Sequence, residues 1–275
     1  MPPNQVTAEK TLFDVLRDLW RGKFYMVVFA IIMLALAFIF MSFAQNFYRA
    51  EMVIAPASHM GQGSGINKNS SEGTIQVQPI SLQSNAAFMR FENIYDGVSV
   101  AKILVNDKKI IDALKFDRNF EFSKAGNDWN TSNLSEYLNR RVKLESLSGT
   151  PLQKLTYLHP NKDFAAYMIS RIHELSDKII RGQILAQVNG RIKYLNKSLS
   201  VTNNPEHRRN LTALLMEQER IKMLASIDQP YAATVIEPPY ILSKPSWPDP
   251  YVIYPVFLFV GLLLGFVVYG IRHHE

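Results

Sequence analysis

The stretch FYMVVFAIIMLALAFIFMSF, Phe24–Phe43, carries no charged side chain, and neither does its counterpart near the other end, YVIYPVFLFVGLLLGFVVYGI, Tyr251–Ile271. About 20 apolar residues, each rising ~1.5 Å, cover the ~30 Å hydrocarbon core of a bilayer. Backbone amides find no water there, so each run is expected to be a helix that satisfies its own hydrogen bonds. A buried core helix is the other reading, but uncharged runs this long are rare in soluble cores. Ser42-Phe43-Ala44 resembles a signal-peptidase site. Against cleavage, the apolar run exceeds the ~7–15 residues of a signal core and a long charged segment precedes it. Two transmembrane helices are therefore expected, over residues 24–44 and 251–271.

The flanks orient them. Arg17, Arg21 and Lys23 precede the first run, and Arg272 directly follows the second. Basic residues close to a span stay on the cytoplasmic side, so residues 1–23 and 272–275 are expected inside and residues 45–250 outside. Trp20, Tyr25, Tyr48, Trp247, Tyr251 and Tyr254 stand at the two borders, where amphipathic rings prefer the headgroup level.

The chain of 275 residues leaves the outer block long enough for one domain with its own core. There is no cysteine, so that domain has neither a disulfide nor a thiolate metal site, and core packing or oligomerisation must hold it. The net charge is +6 and the pI about 9.3. Placement outside a membrane points this charge toward anionic lipid or polymer rather than nucleic acid.

Within the first cytoplasmic segment, Leu12, Phe13, Leu16, Leu19 and Trp20 recur at helical spacing, as in a short interfacial helix. Tyr48–Ala55 reads as a strand, and the Gly/Ser/Asn-rich run Ser58–Thr74 as a loop. Its Gly61, Gly63 and Gly65 have the wrong spacing for a phosphate cradle, and no Lys-Ser/Thr follows. Short helices are predicted within Phe88–Phe116, capped between by Asn106-Asp107, then a polar loop over Asn119–Asn133 and a short helix at Leu134–Leu138. Val142–Leu147 and Leu152–Leu158 alternate as strands. Pro160-Asn161 opens the longest helix, Asp163–Val201, with an apolar seam through Met168, Ile172, Leu175, Ile179, Leu185, Val188, Ile192, Leu195 and Leu199 and a phase break near Gly182. Asn204-Pro205 caps and starts a second helix, 205–227, so a bend there carries Arg208 and Arg209 at a tip far from the membrane. Tyr231–Ile236 is predicted as a returning strand, followed by a stiff extended strap, 237–250, containing Pro238, Pro239, Pro245, Pro248 and Pro250. In the second span Gly261 and Gly265 form a small-xxx-small pair that permits close helix contact.

This order resembles the polysaccharide co-polymerase family, the Wzz-type chain length determinants without a fused kinase, over essentially the whole chain. Its sharpest parts are Pro238–Pro250 running into the second span, similar to the family's proline-rich signature, and Leu155-Thr-Tyr-Leu-His-Pro-Asn-Lys-Asp-Phe-Ala-Ala, similar to its strand-to-long-helix junction. The outer domain is on the short side for the family, and the loop at Ser58–Thr74 is unusual. The resemblance implies an α+β periplasmic domain with a long extended helix, flanked by two transmembrane helices in the bacterial inner membrane. It implies bell-shaped homo-oligomers that set the length of an O-antigen, capsule or exopolysaccharide made by a separate Wzy-type polymerase. With only Arg272–Glu275 after the second span and no Walker A motif, no fused kinase is expected.

No chemistry contradicts a non-catalytic role. His173-Glu174-Leu-Ser-Asp177 nearly spells a zinc-protease helix, but Asp177 occupies the second histidine's place. With too few converging ligands, the pair is expected on the exposed polar side of the long helix. There is no G-x-S-x-G elbow and no cysteine nucleophile. No metal and no cofactor are expected. Arg140-Arg141-Lys143, Arg191-Lys193-Lys197 and Arg208-Arg209 are expected to be solvated, and are the places where an anionic glycan would touch. Two other functions fit a two-span protein: an adaptor in a polysaccharide export complex, and a sensory module or kinase activator.

Overall fold

A computed structural model describes residues 23–57, 80–115, 117 and 129–274. The N-terminal interfacial helix and the loop at Ser58–Thr74 expected from the sequence lie outside the described residues. The elements run α1 (Lys23–Phe43), β1 (Tyr48–Pro56), α2 (Ile80–Ile94), α3 (Val98–Leu104), α4 (Lys108–Leu114), α5 (Thr131–Arg141), β2 (Val142–Ser146), β3 (Gln153–His159), α6 (Lys162–Val201), α7 (Pro205–Ser226), β4 (Ala233–Ile241) and α8 (Pro250–His274). Residues 47–244 form one compact unit, an α+β domain; α1, α8 and their adjoining segments form another.

The domain is built on a four-stranded sheet of order β2-β3-β1-β4. All three pairings are antiparallel. Strand side chains alternate between faces. Ala50, Met52 and Ile54 of β1 and Leu155, Tyr157 and His159 of β3 are accordingly buried on the face that α6 and the short helices cover. On the opposite face Glu51 is also buried, because the Lys154 ammonium (2.9 Å) and the Tyr240 hydroxyl (2.7 Å) close over it. Burial raises the Glu51 carboxyl and these two partners lower it, leaving it below the usual carboxylate range.

Proline reshapes β4. The strap was expected from 237, yet the strand continues through Pro238 and Pro239 to Ile241. Proline has no N–H to give, so it is tolerated only on an edge strand or at a bulge. Both conditions hold: β4 ends the sheet, and its register against β1 shifts between Glu51 and Val53, opposite the two prolines. Pro245 and Pro248 lie in the following irregular segment, and Pro250 opens α8, with the Asp249 carboxylate accepting the Tyr251 amide (2.9 Å).

The long helix starts where Asn161 accepts the Phe164 amide (3.1 Å) and runs 40 residues, ~60 Å at the α-helical rise, without interruption at Gly182. Its buried stripe narrows along its length. From Phe164 to Ile180 a broad face is covered by the sheet and α2, whereas further on only Ile184, Val188, Ile192 and Leu195 are buried, on the line facing α7. Leu185 and Leu199 of the expected seam are only half-buried. Asn204 accepts the amides of Glu206 (2.9 Å) and His207 (3.3 Å), and α7 folds back along α6 with Leu211, Ile221 and Ala225 buried. Two helices begin earlier than expected, α2 at Ile80 rather than Phe88 and α5 ahead of Leu134. Helix α5 begins at Thr131, three residues early, because Asn130 caps it through the Asn133 amide (2.8 Å).

Candidate functional site

Nothing in the described residues converges as a catalytic centre, and no group of three His, Asp or Glu side chains among them could hold a metal. The chemistry of this chain lies in surfaces and in the contacts that shape them.

Helices α1 and α8 are each long and apolar enough to cross a membrane, with only about 11% of each span buried. Between two helices in lipid there is no hydrophobic drive, so close backbone approach through small residues must supply the contact. A Cβ on Gly261 would lie 2.8 Å from the Ala30 Cα and 3.0 Å from the Phe29 carbonyl oxygen. One on Gly265 would lie 2.5 Å from the Met26 Cα and 2.9 Å from the Tyr25 oxygen. Gly270 has nothing within 4 Å. Aromatic pairs flank the crossing: Tyr25 with Tyr269 (6.2 Å between centroids) and Phe40 stacked on Phe257 (6.2 Å).

In the other unit, the middle of α6 is tied to the segment that leads into β4. His173 and Asp177 are buried, not on an exposed polar side as the sequence had suggested. The Asp177 carboxylate accepts the amides of Tyr231 and Ala232, both at 2.7 Å, and the Arg181 guanidinium at 2.9 Å. Arg181 also donates to the carbonyls of Ile227 (2.8 Å) and Gln229. The His173 Nε2 lies 2.8 Å from the Ala233 carbonyl oxygen, so Nε2 carries a proton and donates it to that carbonyl. Both side chains bond backbone groups of residues 231–233.

Two buried histidines give the domain a pH dependence. Burial pushes the pKa of both His173 and His159 below the ordinary histidine value. A folded state that resists protonation binds fewer protons than the unfolded chain once pH falls toward ~6.5. The stability these rings contribute is therefore complete above the unfolded pKa and lost as pH drops through the lowered folded value. Denaturant midpoints are expected to fall between about pH 7 and pH 5, and His173→Gln should flatten that slope; equal slopes in the two proteins would refute the assignment.

The expected basic clusters separate. Arg141 is not solvated: its guanidinium bonds the buried Asp117 carboxylate at 3.0 Å and lies 4.7 Å over the Phe47 ring. The Tyr137 hydroxyl shares that carboxylate (3.2 Å) and contacts the Tyr157 hydroxyl (2.9 Å). Arg140 pairs with Glu136 at 2.6 Å, an exposed bridge of little energetic weight. Arg208 and Arg209 stay exposed on the first turns of α7, beside Asn203, Thr212 and Met216 in a shallow cleft, and the Arg208 guanidinium reaches the Thr202 carbonyl at 3.5 Å.

The chain thus combines a mixed α/β domain carrying a long helical hairpin with two bilayer-length helices. Residues 9–110 match the family model described as Wzz, chain length determinant protein; the match spans α1, β1, α2 and α3. Two solved structures are similar. One is a full-length bacterial polysaccharide co-polymerase, 13% identical, covering 96% of this chain and 98% of that chain with a TM-score of 0.45. The other is a fragment of WzzB, the polysaccharide co-polymerase from Salmonella Typhimurium, 13% identical, covering 74% of this chain and 100% of that chain with a TM-score of 0.40. No curated protein matches by sequence. The family match supports the Wzz-type resemblance.

Proposed function

We propose that this protein is a non-catalytic, homo-oligomeric regulator of surface-polysaccharide chain length, working in the bacterial inner membrane beside a separate Wzy-type polymerase. The observation that carries this reading is the Wzz family match over residues 9–110. Arg17, Arg21, Lys23 and Arg272 favour cytoplasmic termini and a periplasmic domain by the positive-inside rule. The outer side of α7 favours association of copies. Met216 (69% exposed) and Met223 (57%) stand at i and i+7, on one helical face without a partner among the described residues. Control is spatial: the oligomer holds polymerase and growing glycan in proximity and needs no group transfer of its own. Membrane lipid packs the exposed sides of α1 and α8, and the hairpin tip, with Arg208 and Arg209, is the place where an anionic glycan touches.

A deletion strain tests the reading. Its surface polysaccharide, resolved on a gel, is expected to lose its modal band cluster and decay smoothly from short to long chains. A chromosomal copy with Arg208→Ser and Arg209→Ser is expected to restore the cluster at a shifted length. An unchanged ladder in the deletion strain removes the chain-length role, and an unshifted cluster in the double variant removes the tip from it.

A further inference from the structure

We propose that a pocket between α2, α6 and α7 binds a single carboxylate-bearing sugar unit, a hexuronate or similar acidic pyranose. The choice of a sugar rests on the function proposed above; the choice of an anion does not. The pocket is a small recess of about 170 Å³, on the scale of a single small-molecule unit. Its base is apolar: Ala87, Val188 and Ile221 are each buried. Its rim is polar and exposed: Arg90 from α2, with Gln187 and Arg191 one turn apart on α6.

The two arginines are set apart from most others in the domain. Arg140, Arg141, Arg171, Arg181 and Arg220 each ion-pair with a carboxylate. Neither Arg90 nor Arg191 has such a partner among the described residues. Both arginines line the same small pocket, so an anion seated there meets two positive charges. A planar guanidinium matches a carboxylate in two parallel hydrogen bonds, which makes the site better suited to a carboxylate than a pair of lysines would be. The apolar base offers the C–H face of a pyranose a dry surface, while the Gln187 amide both donates to and accepts from ring hydroxyls. A neutral hexose keeps the apolar contact and loses the charge; inorganic phosphate does the reverse. Of these three, the acidic sugar alone satisfies both.

The test uses the full-length protein in detergent and ligand-observed NMR titration with glucuronate, glucose and inorganic phosphate. Glucuronate is expected to bind at least about tenfold more tightly than glucose, since a hydrogen bond to a charged group is worth about ten- to a hundredfold, and more tightly than phosphate, which makes no apolar contact. Arg90→Gln and Arg191→Gln are each expected to weaken glucuronate by about that factor, leaving thermal stability unchanged because both side chains are exposed. Equal binding of phosphate and glucuronate would overturn the sugar site, reducing it to a simple anion patch. Full glucuronate affinity in both arginine variants would overturn it as well. So would a smaller oligomer in either variant without ligand, because a carboxylate of a second copy would then be the occupant. None of these readings depends on a polysaccharide ladder, so the site and the chain-length role can fail separately.

Discussion

Asp177→Ala is expected to destabilise the domain by about 3–5 kcal/mol, the range for removing one member of a buried ion pair. The carboxylate is 5% exposed and accepts three hydrogen bonds, two from backbone amides at 2.7 Å and one from Arg181 at 2.9 Å. Removing it strands the Tyr231 and Ala232 amides, which the strand ladder does not satisfy, and leaves a guanidinium without its counter-charge. The site cannot collapse to compensate, because the orphaned donors belong to the chain's return into β4. Asp177→Asn is expected to cost less, since Oδ1, which accepts both amides, is retained, although the NH2 then faces Arg181. Arg181→Gln should cost less again: its side chain is 23% exposed, so water takes over part of the solvation. The doubly substituted protein should be more stable than the sum of the two single losses, as expected for contacting partners. Thermal unfolding of the full chain in detergent, followed by circular dichroism, reads all four. A wild-type midpoint for Asp177→Ala would mean that the link between α6 and the approach to β4 is not what holds the hairpin to the sheet.

How much of this was legible beforehand depends on how far apart the partners lie. The membrane helices followed from local composition alone, and the caps at Asn161 and Asn204 from residue types beside proline. The strands β2 and β3 followed from alternation. His173 and Asp177 were misplaced because polar character was taken as exposure. Their phase told otherwise. They continue the ridge that passes through Ile169, Ile180 and Ile184, and a polar residue in phase with an apolar ridge is buried with a partner. The partners themselves, 54 and 55 residues downstream, have no local signature. Arg141 was hidden in the same way, its counter-charge Asp117 being 24 residues earlier. Pro238 and Pro239 were taken for a strap because proline opposes a strand in general; at an edge, with a bulge, it does not.

Gly265→Leu is expected to force α1 and α8 apart. Even a single methyl at this position would sit 2.5 Å from the Met26 Cα, and the other near atoms, the Met26 nitrogen and Tyr25 oxygen, are also backbone. Overpacking costs ~1–3 kcal/mol where side chains can yield; backbone yields only by moving the whole helix. At tenfold per ~1.4 kcal/mol, the closely packed arrangement should fall by about fivefold to more than a hundredfold. Gly261→Leu should act in the same direction and more weakly, because its closest approach is 2.8 Å and its third neighbour is the Met33 side chain. Gly270→Leu is the internal control: its surroundings are open, so bulk there should change nothing. Because the chain has no cysteine, Tyr25→Cys with Tyr269→Cys places the only two thiols across the helix pair, at positions whose rings are 6.2 Å apart. A short thiol-specific crosslinker should join them efficiently in native membranes, as in the background carrying Gly270→Leu, and poorly when Gly265→Leu is added. If the same three variants are scored for polysaccharide length, loss of the modal cluster should track loss of the crosslink. A lost crosslink with an intact cluster would mean that the pairing of α1 with α8 stabilises the protein without taking part in length control. An undiminished crosslink in Gly265→Leu would mean that the two helices do not approach through this glycine.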